Sequence, residues 1–283
     1  MFKRVPRDLY HTEEQNPHAN LRLRYLGTAG FVVEGNDHTL VIDPYVTRPG
    51  VWTTLFRRLV PNADLIQQVL PHADDVLIGH AHFDHVLDAP VLCQQTGARF
   101  IGSPSACNVA RAAGLPESQL VETCGRETIE SGPATLKGIP SLHGRIYFNY
   151  TPLPGDITTP PPWPPRYRQL LCGLVLNWYI EIAGLRIVHV DSADFIEEEM
   201  VGHQADIVCL CAIGRQYRKD YVKRAIEILQ PTYVMPCHWD WFFSPYHKEP
   251  RTLPGVDLPG MMEEIRTLGA TPILLPFEGI FQL

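Results

Sequence analysis

The chain has 283 residues, of which 45% are hydrophobic and 19% are charged, proportions that are typical of a folded globular protein. Its formal net charge of -7 argues against nucleic acid as the main partner. No apolar stretch reaches the length of a transmembrane helix, residues 1–20 do not resemble a signal peptide, and the seven cysteines show no disulfide spacing. We therefore expect a cytoplasmic protein.

The start of the chain predicts an N-terminal arm over residues 1–20, followed by one domain over residues 21–283. Alternating apolar and basic residues at 21–25 predict a half-buried strand. Residues 31–34 and 39–42 predict a hairpin whose last strand is followed by Asp43.

Residues 44–71 are less regular. Apolar side chains recur there at helical spacing from Trp52 to Leu59, which indicates a short amphipathic helix. The same segment holds Arg48, Arg57 and Arg58 against one acidic residue, Asp64, a local basic bias in an acidic protein.

The most informative stretch is residues 76–88, which read VLIGHAHFDHVLD. Its apolar start predicts a buried strand over 76–78, and its end predicts a helix over 88–95 with Asp88 as the N-cap. Four polar side chains lie on the loop between them, at the carboxyl end of the strand, where open α/β proteins place ligands. They are His80, His82, Asp84 and His85.

The types and spacing of these side chains favour a metal site. His80 and His82 are two positions apart, so both imidazoles point to one side of an extended chain. Asp84 and His85 follow where the chain must turn, and can face a second point nearby. Neutral imidazole and carboxylate together suit a divalent metal. The alternative is a solubilising loop that happens to be rich in histidine.

The rest of the chain alternates strands and helices. Residues 103–113 predict a helix with Ser103 as its N-cap, and 220–229 and 261–268 predict two more. Seven prolines at 151–169 exclude helix or central strand there and predict a polyproline-like insertion. Predicted strands cover 99–101, 120–122, 127–130, 134–139, 172–182, 185–190, 206–211, 232–236, 273–275 and 279–282.

Three further polar side chains each lie just beyond an apolar strand: His143, Asp191 and His238. Taken singly, each could be an ordinary turn or cap residue. Their shared position makes all three candidate metal ligands.

The HxHxDH motif of residues 80–85 resembles the signature of the metallo-β-lactamase superfamily of hydrolases. The strings LGTAGF at 26–31 and VIDP at 41–44 resemble one branch, which includes ascorbate-6-phosphate lactonase and N-acylphosphatidylethanolamine phospholipase D. The resemblance implies an α/β fold, a four-layer αββα sandwich with two mixed sheets face to face and helices outside.

The resemblance also implies a set of seven metal ligands for two divalent ions. The first ion would be held by His80, His82 and His143. The second would be held by Asp84, His85 and His238. Asp191 would bridge both, and Asp43 would either contact the ligand loop or cap a turn. Zn²⁺ is the first expectation, and an oxygen and nitrogen ligand set also admits Mn²⁺ or Fe²⁺.

The activity so implied is hydrolysis by a hydroxide that bridges two metals, with Asp84 orienting it and carrying a proton to the leaving group. Asp191 favours an ester, lactone or phosphoester, because β-lactamases of this fold generally lack that bridging acid. Two segments are expected to flank the site, residues 44–71 and 144–170, and the second also holds three arginines against one acid, Asp156. This basic bias suggests an anionic substrate bound by Arg48 and Arg145, although solvated arginines are the alternative.

Other functions stay open. They are a β-lactamase-type amide hydrolase, as a side activity, and a non-catalytic metal-binding protein. A redox di-iron protein of this fold would need an acid where His82 stands. We expect a small-molecule substrate and no nucleic acid as partner, and the sequence leaves the oligomeric state open.

Overall fold

The computed structural model describes residues 4–12, 16 and 19–283. Part of the predicted arm therefore lies outside the described residues. The part that is described packs on the domain: Val5 is buried, the Tyr10 ring lies 6.3 Å from that of Trp239, and the His11 amide donates to the Leu274 carbonyl. These contacts tie the arm to the domain surface.

Fourteen strands and eight α-helices make up the described fold. The strands are β1 Leu21–Gly27, β2 Gly30–Gly35, β3 His38–Ile42, β4 Asp75–Leu77, β5 Arg99–Gly102, β6 Leu120–Glu122, β7 Thr128–Ser131, β8 Ala134–Ser141, β9 Val175–Ile182, β10 Leu185–Val190, β11 Ile207–Cys211, β12 Tyr233–Cys237, β13 Thr271–Pro272 and β14 Ile280–Gln282. The helices are α1 Val51–Phe56, α2 Ala63–Val69, α3 Phe83–Val86, α4 Ala89–Thr96, α5 Pro104–Ala112, α6 Glu197–Met200, α7 Tyr221–Leu229 and α8 Leu258–Thr267.

The strands form two mixed sheets of seven strands each. The first has the order β14-β1-β2-β3-β4-β5-β6 and the second the order β13-β12-β11-β10-β9-β8-β7. In each sheet the β-hairpin half is antiparallel, whereas the half whose strands alternate with helices is parallel. This is the metallo-β-lactamase type of α/β sandwich, and it confirms the predicted fold class.

Side-chain alternation explains the layers. In β2, Phe31 and Val33 belong to the core shared with the second sheet, where Trp178 lies, while Val32 between them belongs to the core under the outer helices. Successive strand residues point to opposite faces, so each sheet can bury both of its faces.

Most predicted elements match the observed ones within two residues. The Ser103 side chain accepts from the Ala106 amide as the predicted N-cap of α5. The strand predicted at 273–275 is wrong, because the chain pairs with β12 only at Thr271–Pro272. The sequence analysis did not predict helices α2, α3 and α6.

No helix in the described part of the chain is long and apolar enough to cross a membrane.

Candidate metal centre

The topology places four loops at one end of the sandwich. Strands β8, β10 and β12 run in the same direction within the second sheet, so their carboxyl ends lie at the same edge. His143, Asp191 and His238 follow these ends by one or two residues. The loop after β4 in the facing sheet brings His80 to the same place, where its Nδ1 lies 2.6 Å from Asp191 Oδ2.

The structure brings all seven predicted ligands together in three overlapping groups, within each of which the ligand atoms lie within 4.8 Å of one another. The groups are His80, His82 and His143; Asp84, His85 and His238; and His80, His85 and Asp191. The first two contain the residues expected for the two ions, and the third joins Asp191 to His80 of the first group and His85 of the second.

Gly79 allows this convergence. A Cβ atom at that position would lie 1.9 Å from Asp191 Oδ1, so any other residue would collide with the carboxylate. The Gly79 amide instead donates to Asp43 Oδ1 over 2.8 Å. The loop that carries His80 is therefore held against both acids.

Asp43 contacts the ligand loop directly. Its Oδ2 accepts from His85 Nδ1 over 2.9 Å, while its Oδ1 accepts from Gly79. It also forms a fourth buried group with His189 and Asp191. Of the two roles that the sequence left open for Asp43, the structure supports contact with the ligand loop.

His189 was missed by sequence reasoning. Its Nε2 lies 2.8 Å from the Ala29 carbonyl, so this nitrogen is the donor. The sequence does contain a signal for this residue. His189 precedes Asp191 by two positions, so its side chain points to the same side of the strand as that of Asp191.

Hydrogen bonds select the ring nitrogen that each histidine can offer to a metal. His143 Nδ1 lies 2.7 Å from the Gly144 carbonyl, which can only accept, so Nδ1 carries the proton and Nε2 keeps its lone pair. His85 Nδ1 donates to Asp43 in the same way. Such contacts to the far ring nitrogen orient metal-binding histidines.

Three imidazoles of the site are held neutral. Burial lowers the pKa of His82 to about 3, and burial together with neighbouring imidazoles also lowers the pKa values of His80 and His143. A neutral imidazole has a free lone pair, which is the form that coordinates a metal.

The pKa of His85 is shifted in the opposite direction, upwards. Burial disfavours its protonation, but the carboxylates of Asp191, Asp43 and Asp84 outweigh burial and raise the pKa of His85 well above its usual value. Burial likewise opposes ionisation of Asp84, yet His85 and His238 hold its pKa below the usual range. The negative potential that binds a proton at His85 would equally stabilise a metal cation there.

His238 presents its Nε2 to the site, 3.3 Å from Asp84 Oδ2. Its other ring nitrogen, the buried Nδ1, has no hydrogen-bond partner within the described residues. His238 also has a left-handed backbone, with φ of 52°, as do nearby Thr28, Asp43 and Arg48. Such strain in non-glycine residues concentrates at functional sites.

Arg48 does not line the site. Its side chain is fully buried and its guanidinium lies 2.7 Å from Asp240 Oδ2, with a further bond to Thr28 Oγ1. The prediction that Arg48 binds substrate is therefore corrected: a guanidinium that is enclosed and paired with an internal carboxylate cannot reach a bound molecule.

Arg145 is exposed, but it lies to one side of the site. It contacts Asn149 and lines a separate shallow depression that it shares with Asp194, Arg218 and Lys219. Nothing in this placement brings its guanidinium over the metal ligands.

A cavity of about 230 Å³ opens above the metal ligands. Six of the seven predicted ligands form its floor, all except Asp191. Both segments predicted to flank the site line it: residues 44–71 contribute Thr54 and Leu55, and residues 144–170 contribute side chains such as Tyr167. Phe242 and Phe243, which sequence reasoning missed, form a further wall.

Residues 22–238 match the model of the β-lactamase superfamily domain family. This chain belongs to the β-lactamase superfamily. The match begins at β1 and ends at His238, so it spans every predicted metal ligand.

Curated relatives of this superfamily member are metal-dependent hydrolases by name. A UPF0173 metal-dependent hydrolase of Desulfitobacterium hafniense is 25% identical over 226 residues, which cover 78% of this chain and 84% of the relative. One from Anaeromyxobacter dehalogenans is 28% identical over 230 residues, covering 77% and 74%. With the histidine and aspartate groups, these names confirm the coarse expectation of a metal-dependent hydrolase of the β-lactamase superfamily.

Solved structures show the same superfamily fold. The metallo hydrolase Igni18 of Ignicoccus hospitalis is 20% identical with a TM-score of 0.61, and covers 93% of this chain and 99% of its own. An isothiocyanate hydrolase from Delia radicum gut bacteria is 13% identical with a TM-score of 0.60, covering 93% and 99%. The diiron β-hydroxylase CmlA of Streptomyces venezuelae is 15% identical with a TM-score of 0.60, covering 95% and 55%.

Proposed function

We propose that this protein is a hydrolase that uses two divalent cations to cleave an ester, lactone or phosphoester. The observation that carries the proposal is the overlap of the three ligand groups, because Asp191 groups with one histidine from each of the other two, as a carboxylate that serves two ions would. We assign His80, His82 and His143 to the first ion and Asp84, His85 and His238 to the second. Asp191 serves both.

The donor set suits several metals. It consists of imidazole nitrogens and carboxylate oxygens with no cysteine, which favours Zn²⁺ and also admits Mn²⁺ or Fe²⁺. When bound, such a pair of cations supplies Lewis acidity and lowers the pKa of water towards neutrality.

The protein's own side chains would do the rest. Asp84 is ionised at neutral pH, since His85 and His238 hold its pKa low, so it can accept a hydrogen bond from the attacking water and orient it. As expected from the sequence, we also assign it the transfer to the leaving group of the proton that the attacking water gives up. Asp43 fixes the ring of His85, and the aromatic walls of the cavity exclude bulk water from the reacting bond.

The substrate class follows from the resemblance stated above. The branch that includes ascorbate-6-phosphate lactonase hydrolyses esters and phosphoesters, and Asp191 is the residue that separates it from most β-lactamases of this fold. We further propose a small-molecule substrate, because the cavity has a volume of about 230 Å³. As expected from the sequence, we also propose a cytoplasmic location.

Metal content and activity together test the proposal. Protein expressed with excess Zn²⁺, and separately with Mn²⁺ or Fe²⁺, should contain about two ions per chain. The substrate panel would contain lactones, carboxylic esters, phosphodiesters and nitrocefin, and the protein should hydrolyse members of the first three classes. His82→Ala should lose metal and activity, whereas His72→Ala should change neither, because His72 is exposed, pairs with Asp74 and is not one of the predicted ligands.

Two results would contradict the proposal. Fewer than one ion per chain after metal-replete expression would exclude a dinuclear site. Full metal occupancy without turnover of any panel member would favour a non-catalytic metal-binding protein, and turnover of nitrocefin alone would favour the β-lactamase-type alternative.

A further inference from the structure

We propose that the cavity above the metal ligands binds an uncharged, hydrophobic group of the substrate and discriminates against a group that carries a carboxylate or phosphate away from the reacting bond. The inference rests on the proposed function, since it names the substrate class of that same site. It replaces the anionic substrate that the arginine content of the sequence suggested.

The chemistry of the cavity lining is the first argument. Apart from the metal ligands, the described residues that line the cavity carry no charged side chain. Phe83, Tyr167, Phe242 and Phe243 supply aromatic surface, and the four hydroxyl groups of the lining, those of Thr54, Tyr147, Tyr167 and Ser192, are uncharged. A buried charge without a counter-ion is strongly disfavoured, so this lining favours a neutral ligand.

The aromatic side chains form one continuous wall that reaches the metal ligands. The Phe83 ring lies 5.5 Å from that of Tyr167 and 6.0 Å from that of Phe243, and the Phe242 ring lies 4.7 Å from Phe243. Phe242 also packs edge-on against His238 at 5.5 Å. A group held against this wall would place its reactive bond beside the ligands.

None of the six arginines of the two flanking segments lines the cavity, and three of them make contacts elsewhere. Arg48 is enclosed with Asp240. Arg58 donates to the Pro164 carbonyl over 2.7 Å, and Arg166 donates to the Phe56 carbonyl over 3.2 Å. These last two hydrogen bonds join the two segments to each other. The guanidinium groups of Arg58 and Arg166 therefore stabilise the wall of the cavity and do not face its interior.

Apolar surface continues outwards at the rim. Leu55 lines the cavity and is 51% exposed, and its neighbours Trp52 and Phe56 are 76% and 60% exposed with their rings stacked at 5.7 Å. A hydrocarbon chain too long for a 230 Å³ cavity could extend along this surface. Acidic net charge adds a weak general repulsion of anions.

Binding of non-hydrolysable ligands tests the inference without turnover. We would titrate Zn²⁺-loaded protein by calorimetry with acetophenone, butyrophenone and hexanophenone, and with 5-benzoylpentanoate as the charged counterpart. Affinity should rise about fourfold for each added methylene, the value expected from burying one CH₂ group. The carboxylate should bind at least about tenfold more weakly than hexanophenone.

Two variants and a control locate the binding site. Phe243→Ala should weaken hexanophenone binding about tenfold, by removing part of the wall. Leu55→Arg changes a side chain that is 51% exposed and places a cation at the rim, so it should reduce the ratio of the affinity for hexanophenone to that for 5-benzoylpentanoate. Phe148→Ala is the matched aromatic control, because Phe148 is 97% exposed and does not line the cavity, and it should change nothing.

The outcomes separate this inference from the proposed function. Equal or tighter binding of the carboxylate, or no binding of any ketone, would overturn the inference even if the protein hydrolyses esters. Preferential binding of the neutral ketones with no hydrolysis of any panel substrate would support the inference and defeat the proposed function.

Discussion

The guanidinium of Arg48 lies 2.7 Å from the carboxylate of Asp240, and neither side chain has exposed surface. The other oxygen of Asp240 accepts from the Thr28 amide over 2.6 Å. The Thr28 carbonyl in turn accepts from the amide of His238 over 2.5 Å. This buried ion pair is therefore linked, through one residue, to the backbone of a proposed metal ligand.

Breaking this pair should destabilise the protein and weaken metal binding. Arg48→Met would leave the Asp240 carboxylate buried without a counter-ion, which costs about 3–5 kcal/mol. Urea unfolding of the metal-free protein would measure the loss. Equilibrium dialysis should show weaker binding of one ion, since the support of His238 is disturbed.

A surface ion pair provides the control for this prediction. Arg186 pairs with Asp206 at 3.0 Å, but both side chains are partly exposed, so Arg186→Met should cost at most about 1 kcal/mol. The double variant Arg48→Met with Asp240→Leu should be more stable than Arg48→Met alone. If Arg48→Met lowers the free energy of unfolding by no more than Arg186→Met does, the buried ion pair is not required for stability.

Replacing Gly79 should damage the metal site specifically. In Gly79→Ala the new methyl group would meet Asp191 Oδ1 at 1.9 Å, so the carboxylate must move away from its position between the two ligand groups. We expect metal affinity to fall about 10–100-fold, as for changes in residues that orient ligands. Gly50→Ala is the control, because among the described residues no atom beyond its chain neighbours lies within 4 Å of its Cβ position. Unchanged metal content in Gly79→Ala would be incompatible with a bridging role for Asp191.

Asp88 should make stability depend on pH. Burial raises the pKa of its carboxyl to about 6, although it accepts hydrogen bonds from the Val46 and Thr47 amides. Because the folded-state pKa lies above that of the unfolded chain, about 3.9, the protonated carboxyl favours folding. This contribution is complete below pH 4, and it is lost as the pH rises through 6.

Comparison with Asp88→Asn isolates this contribution. The amide keeps an acceptor for both backbone N–H groups but does not titrate. The stability of the wild-type protein relative to Asp88→Asn should therefore fall by up to about 3 kcal/mol between pH 4 and pH 7. Chemical unfolding of both proteins at each pH, in the presence of a chelator, would measure this difference in the free energy of unfolding. A difference that is constant with pH, or that increases, would contradict the shifted pKa.

Metal removal should lower the melting temperature. Cations that bind only the folded state stabilise it by about 4 kcal/mol when present at a thousandfold excess over the dissociation constant. They would also relieve the mutual repulsion of Asp43, Asp84 and Asp191, which now converge on His85. Calorimetry with and without EDTA measures the shift, and His82→Ala should show a smaller one. Identical melting curves in EDTA and in Zn²⁺ would argue against a resident metal.

Several parts of the site follow from local sequence. His80, His82, Asp84 and His85 lie within six positions, so their proximity follows from chain connectivity, and α3 begins directly after His82. The Ser103 cap of α5 and the two-residue alternation of β2 are equally local, because hydrogen bonding at a helix end and strand pleating involve only near neighbours.

Other features were decided only when distant segments met. His143, Asp191 and His238 converge because parallel strands share an edge, and Gly79 must leave room for an acid 112 positions later in the chain. The role of Arg48 depends on Asp240, 192 positions away, and a charge count cannot distinguish an enclosed arginine from an exposed one. Side-chain periodicity specifies which face of an element is buried. The residues that this face contacts depend on how the two sheets pack together. The same packing determines which groups surround each charged side chain, and therefore its pKa.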